Sequence, residues 1–247
     1  MPNLLFDEFT NKQGLIVYGG VASSDYGIVV SEAPSFDKPN RRANVFPIQG
    51  RNGSVIFQDG SYEDVTRSYK VWVAEDDGDL ADKVNAVSGW LYSLTGYQRL
   101  EDSFEPDVFR LAYINNIGNF SNEMMQYGEA TLSFVCRPER FLKTGEEIQT
   151  VTNGDKINNP TLFDAKPLIH IEGSGTVSVK IGSKTITASI SDYINIDCDR
   201  LNAYRLPSEN KNAYVSGTFP TITSGTNTIT LTGTITKCEI TPRYYAI

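Results

Sequence analysis

The chain of 247 residues contains one histidine, His170, so a hydrolase site with a histidine base would have to be built on it. Its neighbours Ile169 and Ile171 place it inside a predicted strand, and no nucleophile elbow or orienting acid accompanies it. A lone histidine without such a motif is more often structural than catalytic. The sequence therefore predicts a structural role for His170 and no enzyme activity.

Adjacent acids are a second possible source of chemistry, since a glycosidase places two carboxyl groups on opposite sides of a sugar. Such pairs occur at Asp76-Asp77, Glu101-Asp102 and Glu146-Glu147. Adjacent side chains in a strand point to opposite faces, so these pairs are predicted to be solvated charges. The segment Asp76–Asp79 lacks the full spacing of a calcium loop and is predicted to cap a helix.

The three cysteines, Cys136, Cys198 and Cys238, are far apart and lack metal-ligand spacing. They are predicted to be reduced structural thiols. The glycines of Gly50–Gly53 precede a strand and not a helix, so they cannot form a phosphate cradle. The sequence thus predicts no catalytic residue, no metal site and no cofactor.

The elements that surround these residues are predicted to be mainly strands. Short runs rich in β-branched and aromatic residues predict strands in the first half of the chain at Leu15–Tyr18, Tyr26–Val30, Ser54–Phe57, Thr66–Val73, Val108–Ile114 and Glu129–Cys136. One helix is predicted from Asp79 to Leu94, where apolar residues recur every three or four positions. The polar, proline-interrupted segment Asp37–Pro47 suits an exposed arm or hairpin better than a central strand.

The second half follows a polar stretch, Thr144–Asn159, that is predicted to be a linker. Of the last 104 residues, 25 are Ser or Thr, and they alternate with apolar residues. This pattern predicts an antiparallel sheet with one dry and one wet face. Turns predicted at Gly173–Gly175, Gly182–Lys184 and Ser224–Asn227 have the spacing of a β-sandwich. We therefore predict two domains, residues 1–143 and 144–247.

The charge is concentrated in the first half of the chain. Of the formal net charge of −8, residues 1–143 contribute −7, from 13 Lys/Arg and 20 Asp/Glu. Tight DNA binding needs Lys and Arg contacts to phosphate, so it is not expected, whereas passage of DNA without sticking is compatible. No apolar stretch reaches the roughly 20 residues of a membrane span, and Met1–Glu8 lacks a leader pattern. The sequence predicts a protein made and kept in a cytoplasm, with no membrane partner.

Four segments, in this order and spacing, resemble the distal tail proteins (Dit) of siphophages, the bacteriophages with long non-contractile tails: Gly50–Val65, Leu168–Gly175, Asp197–Tyr204 and Gly225–Tyr245. The resemblance covers nearly the whole chain. It implies a mainly β fold, in which a β-sandwich-like belt domain with one helix and a hairpin arm, residues 1–143, precedes a galectin-like β-sandwich, residues 144–247.

The same resemblance implies a structural function in the virion. In that family a homohexameric ring forms the baseplate hub at the tail tip, and DNA passes through its centre. The implied partners are the tail-tube protein, the tape-measure protein, and the tail-associated and receptor-binding proteins, with assembly in the host cytoplasm. Larger relatives insert carbohydrate-binding modules, and the absence of room for one here weakens the expectation of direct host binding.

The arm is the predicted subunit interface. Repeated head-to-tail contact between two different patches closes a ring when the rotation permits, and an extended arm is suited to reach a neighbouring subunit. Lys38, Arg41 and Arg42 are predicted to meet acidic residues of that neighbour, and Val45 and Phe46 to supply apolar contacts.

A monomeric carbohydrate-binding protein that contacts a bacterial cell-wall polymer is the alternative, since β-sandwiches often carry lectin sites. Tyrosines of the second half are candidates to stack on a sugar: Tyr193, Tyr204, Tyr214, Tyr244 and Tyr245. Strand tyrosines more often fill cores or subunit interfaces. A glycan hydrolase is a third and weaker alternative. Solution mass separates the first two hypotheses, and only the third requires turnover.

Overall fold

The computed structural model describes residues 14–74, 80–118, 121–124 and 127–247. The chain divides into two compact units. The first comprises the described residues up to Arg140 together with Ile247, and the second is Phe141–Ala246. Strands dominate both units, which confirms the predicted mainly β fold.

The first unit contains one curved sheet, a separate hairpin and a helix. Its strands are β1 (Ile16–Tyr18), β2 (Val21–Ala22), β3 (Ile28–Val30), β4 (Arg41–Pro47), β5 (Ser54–Tyr62), β6 (Val65–Ala74), β7 (Gln98–Asp102), β8 (Val108–Asn116), β9 (Ser121–Met124) and β10 (Tyr127–Leu142). The sheet has the order β2-β1-β7-β8-β10-β6-β3, with β9 also paired to β10. Val30 of β3 exchanges backbone hydrogen bonds with Gly14, just before β1. The sheet therefore curves back on itself around an apolar core.

The helix, α1 (Leu80–Ser93), confirms the predicted one to within a residue at each end. It packs its apolar face into the core of the first unit. The indole of Trp90 stacks on the ring of Tyr26 at a centroid distance of 4.9 Å, and its Nε1 donates a hydrogen bond to the carbonyl of Tyr18 at 3.3 Å. These contacts fix the helix on the sheet. The predicted capping segment, residues 76–79, lies outside the described residues.

The adjacent acids Glu101 and Asp102 correct the prediction that they are solvated charges, because both are buried. Glu101 pairs with Arg99 at 2.5 Å, and Asp102 pairs with Arg67 at 2.9 Å. A carboxylate can be buried when an opposite charge and hydrogen bonds replace its water. The sequence pattern of two adjacent acids carries no information about such distant partners.

The second unit is an antiparallel sandwich around one core cluster. Its strands are β11 (Gln149–Thr150), β12 (Lys156–Asn159), β13 (Leu168–Ile181), β14 (Lys184–Ile190), β15 (Tyr193–Asp197), β16 (Asn202–Tyr204), β17 (Val215–Gly217), β18 (Gly225–Thr241) and β19 (Tyr245–Ala246). Within the described residues, short 3-10 helices lie at Ser23–Tyr26 in the first unit and at Lys143–Glu146 and Asn212–Tyr214 in the second. The polar stretch predicted to be a linker contains β11 and β12, which pair with β18, so that prediction is wrong.

The long strands β13 and β18 pair with each other and run through both halves of the sandwich. In one half, the first residues of β13 pair with β15, and β15 pairs with β16. In the other half, the last residues of β13 pair with β14, and β14 pairs with β17. The register of β13 on β18 shifts near Gly173 and Gly175, where we predict a turn from sequence. This prediction is wrong, because both glycines lie inside the continuous strand β13. A Cβ on Gly173 would lie 2.2 Å from the carbonyl oxygen of Thr234. The glycines permit a β-bulge and a close approach of the two backbones.

Asp197, the last residue of β15, is held by hydrogen bonds within the second unit. Its buried carboxylate accepts hydrogen bonds from Arg243 at 2.7 and 3.2 Å and from the amides of Asp199 and Arg200 at 3.1 Å. Burial raises the pKa of Asp197, but these partners outweigh burial and hold it below its ordinary value. A group with a lowered folded pKa stabilises the protein above its unfolded pKa, near 3.9, and loses that contribution as the pH falls.

Replacing Asp197 with Asn is therefore expected to lower the free energy of unfolding of the second unit by about 1.5–3 kcal/mol at pH 7. The difference from wild type should shrink as the pH falls below about 4. Alkylation of Cys198 and Cys238, followed by peptide mass spectrometry in increasing urea, measures opening of this unit because both thiols are buried. Equal differences at pH 7 and pH 3 would contradict the assignment of the effect to the carboxylate.

Candidate assembly surface

The hairpin of β4 and β5 is the most exposed element of the described chain. Among the described strands these two pair only with each other and form a separate two-stranded sheet. Every residue from Arg41 to Gly60 is exposed. An isolated two-stranded hairpin is at best marginally stable in water, so this element gains from any surface that covers it.

The base and the tip of the hairpin are defined by backbone contacts. At the base, the amide of Glu63 donates to the carbonyl of Asn40 at 2.9 Å. At the tip, the amide of Arg51 donates to the carbonyl of Ile48 at 3.3 Å, and Gly50 and Gly53 have φ of +76° and +84°. These left-handed conformations favour glycine, which explains the glycines of this segment without a ligand.

Apolar side chains cover both faces of the hairpin. Val45 lies opposite Ile56 on one face, while Phe46 lies opposite Val55 on the other, where Phe57 follows. Six of the sixteen large exposed apolar side chains of the described chain lie between Val45 and Phe57. Exposed apolar patches of this kind mark interaction sites. Because both faces carry them, contact on one face alone would leave the other uncovered.

The predicted interface residues all lie on or next to this hairpin. Val45 and Phe46 are each 57% exposed, and Lys38 lies exposed before β4. Arg41 donates a hydrogen bond to the hydroxyl of Tyr62 at 3.1 Å, with its guanidinium 5.4 Å from the centre of that ring. The structure thus brings these five residues to one element, but it does not test whether a second subunit binds there.

Arg42 lies at the bulge of the hairpin, close enough to Asp59 to affect it electrostatically. Two hydrogen bonds from Ser61 lower the pKa of Asp59, and the charge of Arg42 adds a smaller effect of the same sign. Neither Lys38 nor Arg42 makes an ion pair with any residue that the structure describes.

Sequence reasoning missed half of this surface, namely the apolar residues of β5. Val55, Ile56 and Phe57 are 47%, 60% and 66% exposed, although the sequence predicts only a strand there. The available signal was three consecutive apolar residues without alternation, in a short strand beside a polar, proline-broken segment. A strand that is apolar on both faces must be covered on both faces.

His170 contacts polar side chains of its own strand and of β15. Nδ1 of His170 lies 2.8 Å from Oδ1 of Asn195, and Nε2 lies 3.3 Å from Oε1 of Glu172. Its ring also contacts Tyr193 at a centroid distance of 5.5 Å. These partners are an amide, a carboxylate and a phenol ring, so no described neighbour of His170 is an activated nucleophile.

The three cysteines are buried and free. Burial raises the pKa of each thiol, Cys136, Cys198 and Cys238, to about 12, so the nucleophilic thiolate is scarce at neutral pH. Within residues 14–74, 80–118, 121–124 and 127–247, no group of three or more His, Cys, Asp or Glu side chains is placed to hold a metal ion. In the same ranges no helix has the length and apolar character needed to cross a membrane.

The similarity of this chain to known proteins lies in its structure and not in its sequence. No protein-family model matches the sequence, and no curated protein sequence matches it. Among solved structures, the Dit (gp 19.1) protein of phage SPP1 is similar over 95% of this chain and 99% of that chain, with a TM-score of 0.75 and 14% sequence identity. This chain has the Dit fold. The mainly β fold predicted from the resemblance to distal tail proteins is thereby confirmed.

Two structures of the phage p2 baseplate in its activated conformation also match this chain. Each matches 92% of this chain and 97% of the baseplate chain, with a TM-score of 0.49 and 11% or 10% identity. The SPP1 protein is described as a paradigm of the hub adsorption apparatus in phages that infect Gram-positive bacteria.

Proposed function

We propose that this chain is a distal tail protein, which assembles into a hexameric ring at the tail tip of a siphophage. The observation that carries the proposal is the β4–β5 hairpin, whose apolar side chains are exposed on both faces. This chain shares the Dit fold with the SPP1 protein over nearly the full length of both chains. That similarity supports a tail hub over other assemblies. The hairpin of one subunit covers its apolar faces against neighbouring subunits.

The ring would join the tail tube to the host-adhesion apparatus. Its proposed partners are the tail-tube and tape-measure proteins and the tail-associated and receptor-binding proteins. DNA would pass through the centre, and the sequence charge supports this role. Six copies of residues 1–143, each with a net charge of −7, bring 42 negative charges that repel the polyanion and prevent sticking. We place assembly in the host cytoplasm and the mature ring in the virion.

The proposed role is structural and requires no turnover. The contacts of His170 with an amide and a carboxylate support this view, as do the raised thiol pKa values. Purified protein is expected to leave cell-wall glycan intact. Hydrolysis that disappears in the His170→Gln variant would instead favour the glycan hydrolase.

The test is the solution mass of the purified full chain. We expect light scattering to give six times the subunit mass of 27.4 kDa, and electron microscopy to give rings with a central opening. A variant with residues 41–62 replaced by Gly-Gly should be a folded monomer, because both strands are removed and the Asn40–Glu63 base can still close. Wild-type protein that stays monomeric at high concentration would contradict the ring and favour the monomeric carbohydrate-binding protein.

A further inference from the structure

The two outer faces of the second unit differ sharply in composition. On the outer face of one half, the residues opposite one another across four strands are all hydroxylated: Ser216, Thr187, Ser178 and Thr232. On the outer face of the other half, the matching row is Tyr204, Asn195, His170 and Glu239. A second row beside it is Tyr193, Glu172 and Lys237. We call these seven residues the ring-and-acid face.

The side chains of the ring-and-acid face hold each other in place. The amide of Asn195 contacts Nδ1 of His170 at 2.8 Å and donates from Nδ2 to the carbonyl of Arg205 at 3.1 Å. The guanidinium of Arg205 lies 5.2 Å from the centre of the Tyr193 ring. Groups fixed in this way lose little conformational entropy when a ligand binds.

Charges on this face are nearly balanced. Lys237 lies between two carboxylates, 3.7 Å from Glu172 and 2.9 Å from Glu239, and Arg205 pairs with Asp192 at 2.7 Å. Three carboxylates thus face two cations, which disfavours a phosphate or another polyanion as ligand. The face instead offers carboxylate acceptors, an amide that both donates and accepts, cationic donors and two phenol rings.

We propose that the ring-and-acid face binds a neutral saccharide. Sugar hydroxyls both donate and accept hydrogen bonds, which matches this mixed set of groups, and the apolar face of a sugar ring can pack on Tyr193 or Tyr204. The row from Tyr204 to Glu239 spans three strand spacings, about 14 Å, which gives room for more than one sugar unit. Binding at this face requires only one chain, because all seven residues lie in its second unit.

The structure also separates the tyrosines named as candidates from sequence. Tyr244 is buried, so it cannot stack on a sugar. Tyr214 is exposed but belongs to neither row of this face, and Tyr245 stacks on Phe163 at a centroid distance of 5.6 Å. Tyr193 and Tyr204 are the half-buried pair that share the ring-and-acid face.

Saturation-transfer difference NMR on the full chain tests the proposal, because it detects weak binding to large assemblies. The probes are glucose, galactose, mannose, rhamnose and the N-acetylhexosamines, with their common disaccharides, each at about 10 mM, a range suited to millimolar affinity. We expect transfer to at least one saccharide. Tyr193→Ala and Asn195→Ala should each weaken its binding at least tenfold.

The matched control is Thr187→Ala, which alters the hydroxylated row of the other half and should leave binding unchanged. Inorganic phosphate, followed by its own NMR signal, should not bind. No transfer to any saccharide of the panel overturns the proposal, as does transfer that Tyr193→Ala and Asn195→Ala leave intact. Binding of phosphate but of no sugar overturns it in favour of an anion site. None of these outcomes depends on the solution mass that tests the ring.

Discussion

Replacing Phe46 and Phe57 with Ser is expected to abolish the proposed hexamer while each subunit stays folded. Both rings lie on the same face of the hairpin and are 57% and 66% exposed in the single chain. Since neither contributes to a core within the described residues, their loss leaves the fold of the subunit intact. The solution mass should fall sixfold, to that of one subunit.

The size of this effect follows from apolar burial. Covering a Phe side chain contributes about 1.5–3 kcal/mol, so two rings contribute roughly 3–6 kcal/mol to each subunit contact. That range weakens each contact by about 10²- to 10⁴-fold, and every contact of a closed ring carries the same change. The ring should therefore dissociate at micromolar concentration. Light scattering measures the mass, and far-UV circular dichroism checks the fold.

Two further variants make the result specific. Leu162→Ser, at the most exposed apolar side chain of the second unit, should leave the hexamer unchanged. Replacing Lys38, Arg41 and Arg42 with Gln should weaken assembly less, because exposed ion pairs contribute only about 0–1 kcal/mol each and are screened by salt. A hexamer that survives loss of both Phe rings but not of the three cations would place the interface energy in charge and contradict our assignment.

The hairpin also illustrates how far the sequence predicts this surface. The proline-broken segment Asp37–Pro47 excludes a central strand, and it lies exposed as expected. Its partner strand β5 could not be assigned to the same arm, because strand pairing depends on chain reversal at Ile48–Gly53 and not on local composition. Local pattern predicts a strand, whereas its exposure depends on what the strand pairs with.

In strand β6, local composition likewise does not determine which side chains are buried. The strand predicted at Thr66–Val73 is confirmed, and in the structure its residues alternate between a buried and a more exposed face. Yet Arg67 lies on the inward face while Trp72, the large aromatic residue, is 60% exposed on the outward face. Hydrophobicity alone assigns these two side chains to the wrong sides. Only the acids that surround Arg67, which come from residues 35 and 38 positions later in the sequence, explain its burial.

Arg67 is the centre of a buried ion-pair cluster. Its guanidinium donates to Oδ2 of Asp102 at 2.9 Å and to the carbonyl of Ser35 at 2.9 Å, and it lies 3.2 Å from Glu105. The hydroxyl of Tyr69 donates to the same Asp102 oxygen at 2.7 Å. Burial raises the pKa of Glu105, but Arg110 and the other arginines outweigh burial and hold it below its ordinary value. Glu105 is therefore ionised at neutral pH and needs its cations.

Replacing Arg67 with Met is expected to lower the free energy of unfolding of the first unit by about 3–5 kcal/mol, the usual cost of leaving one partner of a buried ion pair uncompensated. Both tryptophans of the chain lie in the first unit, and Trp90 is buried in its core, so tryptophan fluorescence in urea reports on this unit alone. Arg41→Met is the matched control, because Arg41 is exposed and a change there should stay within about 0.5 kcal/mol.

If Arg67→Met lowers the free energy of unfolding no more than Arg41→Met does, then the cluster contributes no net stability and water that reaches its charges compensates them. A full loss confined to the Arg67 variant would instead mean that this arginine holds Ser35, Asp102 and Glu105 in one arrangement at the root of the arm.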